Sequence, residues 1–235
     1  MLSNVESKLS KGRNWVMLGI YVVGFPLVTI VATMAGMFVF NLEGMALGSF
    51  GMFVTYFILC VVLLILSRKA FVEGFKQIKS WGKFILQIGL GLLLTFGSVL
   101  TGNLIVLLLG NSETAANQEL AEALLISMPL MMIFTMSLLG PIVEEIIFRL
   151  VLINLFDWKP VYGLIFSSLI FGMFHVIIGG WIHIIPYGLA GLAFGYFYLR
   201  YNKNIVYATA LHICHNGATI GLVFLMQRMV SLYYS

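Results

Sequence analysis

Glu144, Glu145 and Arg149 stand together in a stretch that is otherwise apolar, and His175, His183, His212, His215 and Asn216 follow in further apolar runs. All four histidines come after the glutamate pair, and the first 143 residues hold none. The chemistry these types suit is addition of water to a carbonyl. A glutamate can take a proton from water and deliver it later, and a histidine beside it can hold the water or share the transfer. Glu144 and His175 are therefore the candidates for water activation. A second imidazole, His212, and the Asn216 amide can donate hydrogen bonds to the oxyanion that develops. Glu145 and Arg149 are four apart, so they share a helical face and suit a buried ion pair. Glu144 then points about 100° away, free to face another helix. His212 and Asn216 share a face by the same spacing.

Each of these residues also has a plainer reading, as a hydrogen bond between helices with no chemistry. That reading is strongest for His183, beside a short outer loop, and for His215, which points off the His212/Asn216 face; for Asn216 it competes evenly. Other hydrolytic designs fit worse. No His-Glu-x-x-His helix is present, so a zinc site at Glu144, His175 and His212 stands as the alternative to metal-free catalysis. Asp157 is the sole aspartate, which excludes an aspartyl dyad. Ser167 and Ser168 lack a Gly-x-Ser-x-Gly setting and are weak nucleophile candidates.

The elements that must position this set are set by the solvent. Of 235 residues 61% are hydrophobic and 9% charged, with a mean hydropathy of +1.04. A soluble domain carries about a quarter charged residues, so residues 1–235 read as a single integral membrane domain. The net charge of +4 needs no nucleic-acid partner, because basic residues collect in cytoplasmic loops of membrane proteins. Cys60 and Cys214 lie far apart in apolar runs and read as buried thiols. The N-terminus has the polarity of a signal peptide, but its apolar run from Trp15 to Phe40 exceeds the roughly 7–15 residues of a signal core. A retained helix is expected.

Seven segments reach the length that a span needs: Trp15–Phe40, Leu47–Leu66, Phe84–Leu109, Ala123–Phe156, Val161–Ile178, Ile184–Leu199 and Ile205–Met226. The fourth is too long for one straight crossing, and Pro129 or Gly140-Pro141 can kink or split it into eight elements in all. The fold class is all-α: a polytopic bundle of seven to eight transmembrane helices. Lys8, Lys11, Arg13, Arg68, Lys69, Lys76, Lys79, Lys83, Lys159, Arg200 and Lys203 fall on one side if the spans alternate, opposite Glu43, Glu113, Glu119 and Glu122, where Arg228 near the C-terminus is the only basic residue. The positive-inside rule then puts the N-terminus in the cytoplasm and the C-terminus outside. The segment Arg68–Trp81 reads as an interfacial helix on anionic lipid. At about 1.5 Å per residue, Glu144 lies roughly 20 Å from the cytoplasmic end of its span near Asp157, His175 roughly 20 Å into its own, and His212 and Asn216 roughly 12 and 18 Å from Asn204. Overlapping depths allow one buried site.

Three ordered motifs now stand out: Glu144-Glu145-Ile-Ile-Phe-Arg149, Phe171-Gly-Met-Phe-His175 and His212-Ile-Cys-His-Asn216. They resemble the EExxxR, FxxxH and HxxxN motifs of the CPBP family (CAAX proteases and bacteriocin-processing enzymes, also called Abi). The resemblance covers about residues 125–225, within a catalytic core at 123–226; residues 1–122 match only as generic spans. It implies an intramembrane glutamic endopeptidase of about eight helices, working without a metal. It also implies that Glu144 and His175 position the water, while His212 and Asn216 form the oxyanion hole. The expected partners are the lipid bilayer and a peptide or membrane-anchored protein substrate, in a bacterial plasma membrane. Peptide-signal or bacteriocin maturation, or self-immunity, ranks above prenyl-protein processing on this resemblance. The rival classes are a proton-coupled transporter and a non-catalytic scaffold or immunity protein. A transporter would carry polar residues in both halves as inverted repeats, whereas here they are confined to the second.

Overall fold

The computed structural model describes residues 11–156 and 159–233, with the Lys11 side chain left aside; Lys8 and Asp157 lie outside the described residues. Within them the chain is all helical: α1 Lys11–Phe40, α2 Gly44–Lys76, α3 Trp81–Leu108, α4 Ala116–Ser127, α5 over 129–153, α6 Pro160–His175, α7 Ile184–Arg200 and α8 Ile205–Tyr233. Five helices are long and apolar enough to cross a membrane. At about 1.5 Å per residue α1 is some 45 Å long, against a hydrocarbon core of about 30 Å. Large apolar side chains such as Val31, Phe38, Leu93 and Leu108 face outward along these helices. Lipid, equally apolar, takes the place that water takes around a soluble protein.

Helix α5 is the exception and the centre of the bundle. Every residue from Val143 to Asn154 is buried, and α5 packs against α1, α2, α6, α7 and α8. A helix apolar all round suits such a position. Its two prolines act differently. Pro129 ends α4: Met128 before it leaves the helical region (φ −139°, ψ 73°), since a residue preceding proline is disfavoured there. Pro141 breaks nothing, because the turn before it, Thr135–Leu139, is wound as a π-helix, and the Gly140 N–H bonds to Thr135 O. That wider winding absorbs the missing proline N–H. A second π stretch covers Glu145–Ile153.

Small residues let the outer helices close on this centre. A Cβ on Gly172 would come 3.1 Å from the Gly188 backbone, one on Gly191 3.1 Å from Ser168 Cα, and one on Gly102 2.4 Å from Pro186 Cα. Close approach at such positions is how membrane helices associate when burial from water supplies no drive. Tyr21 of α1 and Tyr56 of α2 share one apolar cluster with Val143, Ile146 and Leu150 of α5 and with Tyr198 of α7.

Arg68–Trp81 does not form a separate interfacial helix. The chain continues α2 unbroken to Lys76, because nothing before Gly74 interrupts helix formation. Gly74 itself admits Asn204, whose Nδ2 donates to Gly74 O at 3.0 Å; a Cβ there would lie 2.6 Å from Asn204 Oδ1. This end of α2 is thus tied to the α7–α8 link. At the opposite ends, Ser49 Oγ donates to Leu124 O at 3.0 Å, and His183 Nε2 donates to Glu113 O at 3.1 Å.

Candidate active site

The two glutamates of α5 diverge as their one-residue offset requires. Glu145 is fully buried and holds two partners. Its Oε2 lies 3.3 Å from Arg149 Nε, both side chains being wholly enclosed. The contact is off the hydrogen-bonding angle, since neither atom has a hydrogen bond of good geometry. Its Oε1 accepts from His212 Nδ1 of α8 at 2.8 Å. Arg149 also donates from Nη2 to Gly191 O at 3.1 Å. Its guanidinium carbon sits 4.8, 5.6 and 5.9 Å from the ring centres of Phe171, Phe194 and Phe148. Aromatic faces favour a desolvated cation, so charge and rings together hold this arginine in an apolar core.

A carboxylate only accepts, so the His212 proton sits on Nδ1 and Nε2 is turned away from Glu145. Nε2 lies 3.8 Å from Glu144 Oε2. The ring is fixed from below by stacking on Phe194, with centroids 4.2 Å apart and planes at 21°. One imidazole therefore bridges the adjacent glutamates, hydrogen-bonded to Glu145 and facing Glu144.

Glu144 keeps 8% of its surface exposed and has no cation fixed on it. Across Gly140 it meets α2: a Cβ on Gly140 would stand 3.8 Å from both Glu144 Oε1 and Tyr56 Cε1. The Tyr56 ring edge and Glu144 Oε1 therefore border the same small space over Gly140. Tyr21 of α1 is in electrostatic range of both Tyr56 and Glu144, and its buried hydroxyl has no hydrogen-bond partner among the described residues. His175, at the end of α6, is in electrostatic range of Glu144, His212 and Arg149. Its Nδ1 donates to Phe171 O at 2.8 Å, which leaves Nε2 with the lone pair. The ring stacks on Tyr187 at 4.7 Å.

Asn216, one turn beyond His212 on α8, donates from Nδ2 to Met136 O at 2.9 Å. The reason lies in α5. The Gly140 N–H is spent on Thr135 O and Pro141 has no N–H, so the Met136 carbonyl lacks a donor within its own helix. Asn216 supplies one, and keeps its second amide proton.

The structure thus brings Glu144, Glu145, Arg149 and His212 together, sets Asn216 one turn beyond, and places His175 and His212 against the same Phe171 ring. It separates the rest. His215 turns toward α3, where Nδ1 is 3.0 Å from Thr95 Oγ1 and the ring lies on Phe96. His183 is held by the Gly180 and Glu113 carbonyls. Ser167 and Ser168 donate to Phe148 O and Leu164 O. Cys60 is buried and Cys214 exposed, both as free thiols, so the expectation of burial holds for the first only. No three His, Cys, Asp or Glu side chains among the described residues are grouped to hold a metal ion. Sequence reasoning missed Tyr21 and Tyr56. Their signal was faint: a phenol some way into each of two spans, at the depth of a site on other spans.

Residues 126–218 match the family model of the type II CAAX prenyl endopeptidases, described as Rce1-like, and the match contains every residue of the three motifs. No curated protein and no solved structure matches the chain. The ordered motifs, the buried Glu–His–Glu bridge and this match agree, and the chain is a multi-pass membrane protein whose residues 126–218 form a domain of the CPBP, or CAAX protease, family.

Proposed function

We propose that this protein is an intramembrane endopeptidase in which Glu144 activates water to cleave a membrane-associated peptide or protein. The observation that carries the reading is the asymmetry of the glutamate pair: Glu145 is committed to Arg149 and His212, while Glu144 faces His212 Nε2 across 3.8 Å and stays partly open. The Glu144 carboxylate takes a proton from water as the water oxygen bonds to the scissile carbonyl carbon. His175 Nε2 orients that water. The negative charge on the former carbonyl oxygen is met by the second Asn216 amide proton and by His212 Nε2, which donates when the ring carries both protons with Glu145 as counter-charge. Glu144 then returns the proton to the leaving nitrogen as the C–N bond breaks, giving a carboxylic acid and an amine, which ionise to carboxylate and ammonium. No step requires a metal.

A groove of about 470 Å³ runs between α1, α5 and α6, lined by Tyr21, Phe25, Phe148 and Phe174 and reaching the exposed side chains of Trp15 and Phe166. It supports a substrate that arrives within the lipid. The matched family is described by its prenyl endopeptidases, which supports a lipidated C-terminal peptide; the three motifs equally support peptide-signal or bacteriocin maturation, or self-immunity, in a bacterial plasma membrane. The test uses purified protein in detergent and two internally quenched peptides that end in CAAX, one farnesylated and one not. Wild type is expected to cleave at least one and Glu144→Ala neither. Equal processing by both proteins sinks the peptidase reading, and preference between the peptides identifies the substrate class. Incubation with a zinc chelator is expected to leave the rate unchanged; its loss, restored by added zinc, would bring back the metal alternative.

A further inference from the structure

We propose that α1 and α2, which lie outside the matched segment, complete the active site: Tyr56 positions the Glu144 carboxylate, and Tyr21 donates a hydrogen bond to the peptide held in the groove. This rests on the peptidase reading above. The placement of Tyr56 is geometric. It is 8% exposed, its ring meets Phe25 edge-on at 5.5 Å, and its edge shares the space over Gly140 with Glu144 Oε1. A Cβ at Gly140 would be in ordinary contact with both, so the two groups lie on either side of one small space. With His212 on one side and Tyr56 on the other, Glu144 is held between α8 and α2 without a fixed cation, and its carboxylate remains able to gain and lose a proton.

Tyr21 stands one ring further out. Its ring contacts Phe25, Phe148 and Phe174 at centroid distances of 5.8, 6.3 and 5.6 Å, and it lines the groove. It is 5% exposed, and its hydroxyl is buried without a partner. Buried tyrosine hydroxyls are ordinarily hydrogen-bonded, and one left unmatched calls for an explanation. The groove is otherwise apolar, and Tyr21 carries the one hydroxyl among its lining residues. A peptide backbone in the groove would offer a carbonyl there, and that is the occupant to which we commit.

Tyr56→Phe and Tyr21→Phe each remove one oxygen and preserve the ring packing. Tyr56→Phe is expected to lower kcat by about 10–100-fold with KM unchanged, the usual penalty for freeing a catalytic group from its supporting partner. In infrared difference spectra, the carboxyl band that disappears in Glu144→Gln should shift in Tyr56→Phe, a signature that packing alone does not move. For Tyr21, the Glu144→Gln protein allows affinity for the farnesylated peptide to be measured without turnover. Adding Tyr21→Phe should weaken that affinity about 3–10-fold, as for one neutral hydrogen bond. An unmoved Glu144 band or wild-type kcat in Tyr56→Phe overturns the positioning role, and unchanged affinity overturns the Tyr21 contact. Either result leaves the peptidase reading intact if Glu144→Ala is still inactive. Cleavage by Glu144→Ala would sink that reading separately, while the infrared band would still decide whether Tyr56 holds Glu144.

Discussion

Around Glu145 the protein is closed; around Glu144, one residue earlier, it is open. On the closed side every charge has a counterpart: Glu145, Arg149 and His212 are each at most 3% exposed, tied by the Arg149 ion pair and the 2.8 Å bond to Nδ1. On the open side Glu144 faces an imidazole across 3.8 Å and shares the space over Gly140 with the edge of a phenol. A buried charge network favours one arrangement of the helices, whereas chemistry needs a carboxylate whose proton can come and go. Adjacent glutamates deliver both, because a single helical step turns the second about 100° from the first.

Glu144→Ala should give the largest effect in activity and the smallest in folding: loss of roughly 10²–10⁴-fold in kcat, with thermal unfolding in detergent unchanged. Glu145→Ala should reverse the order. It leaves Arg149 buried without a counter-charge, at a cost of about 3–5 kcal/mol, seen as early unfolding and poor recovery from the membrane. If Glu145→Ala proved as stable as wild type while losing activity, the division between closed and open sides would fail.

Asn216 lies on the boundary between the two. Asn216→Ala removes the cap on Met136 O, worth about 0.5–1.5 kcal/mol, as well as a candidate oxyanion donor. Pro141→Ala restores a backbone N–H one helical step from that carbonyl. A double-mutant cycle should therefore show the stability cost of Asn216→Ala shrinking in the Pro141→Ala background, while the loss of kcat persists. A constant stability cost would mean that Asn216 is not bonded for the reason given. The smallest effect belongs to His215→Phe, which gives up the Thr95 hydrogen bond at a cost of about 0.5–1.5 kcal/mol and should leave kcat as in wild type.

Much of this was legible in the sequence. Hydropathy alone identifies the solvent, and α1, α3, α7 and α8 begin or end within a few residues of the expected spans. The Glu145–Arg149 pair follows from four-residue spacing, and His183 and His215 stand apart, as their positions suggested. What was not legible depends on contacts between distant segments. Gly140-Pro141 looks like a breaker in any window, and only the π turn before it, with Asn216 from α8 on the freed carbonyl, shows why the helix continues. Arg68–Trp81 has the pattern of an interfacial helix, but α2 runs on through most of it and docks on Asn204.

By itself the sequence determined that the chain is apolar enough for lipid along several spans, and that its ionisable residues collect on the later ones. These follow from local composition and from the 1.5 Å rise, which need no partner. The tertiary structure alone decided that His212 bridges the two glutamates, that Asn216 is partly spent on Met136, and that Tyr56 comes beside Glu144 from a span with no motif. A side chain's partner across a bundle depends on how helices approach and rotate, and small residues such as Gly102, Gly172 and Gly191 set that approach without announcing it in the pattern.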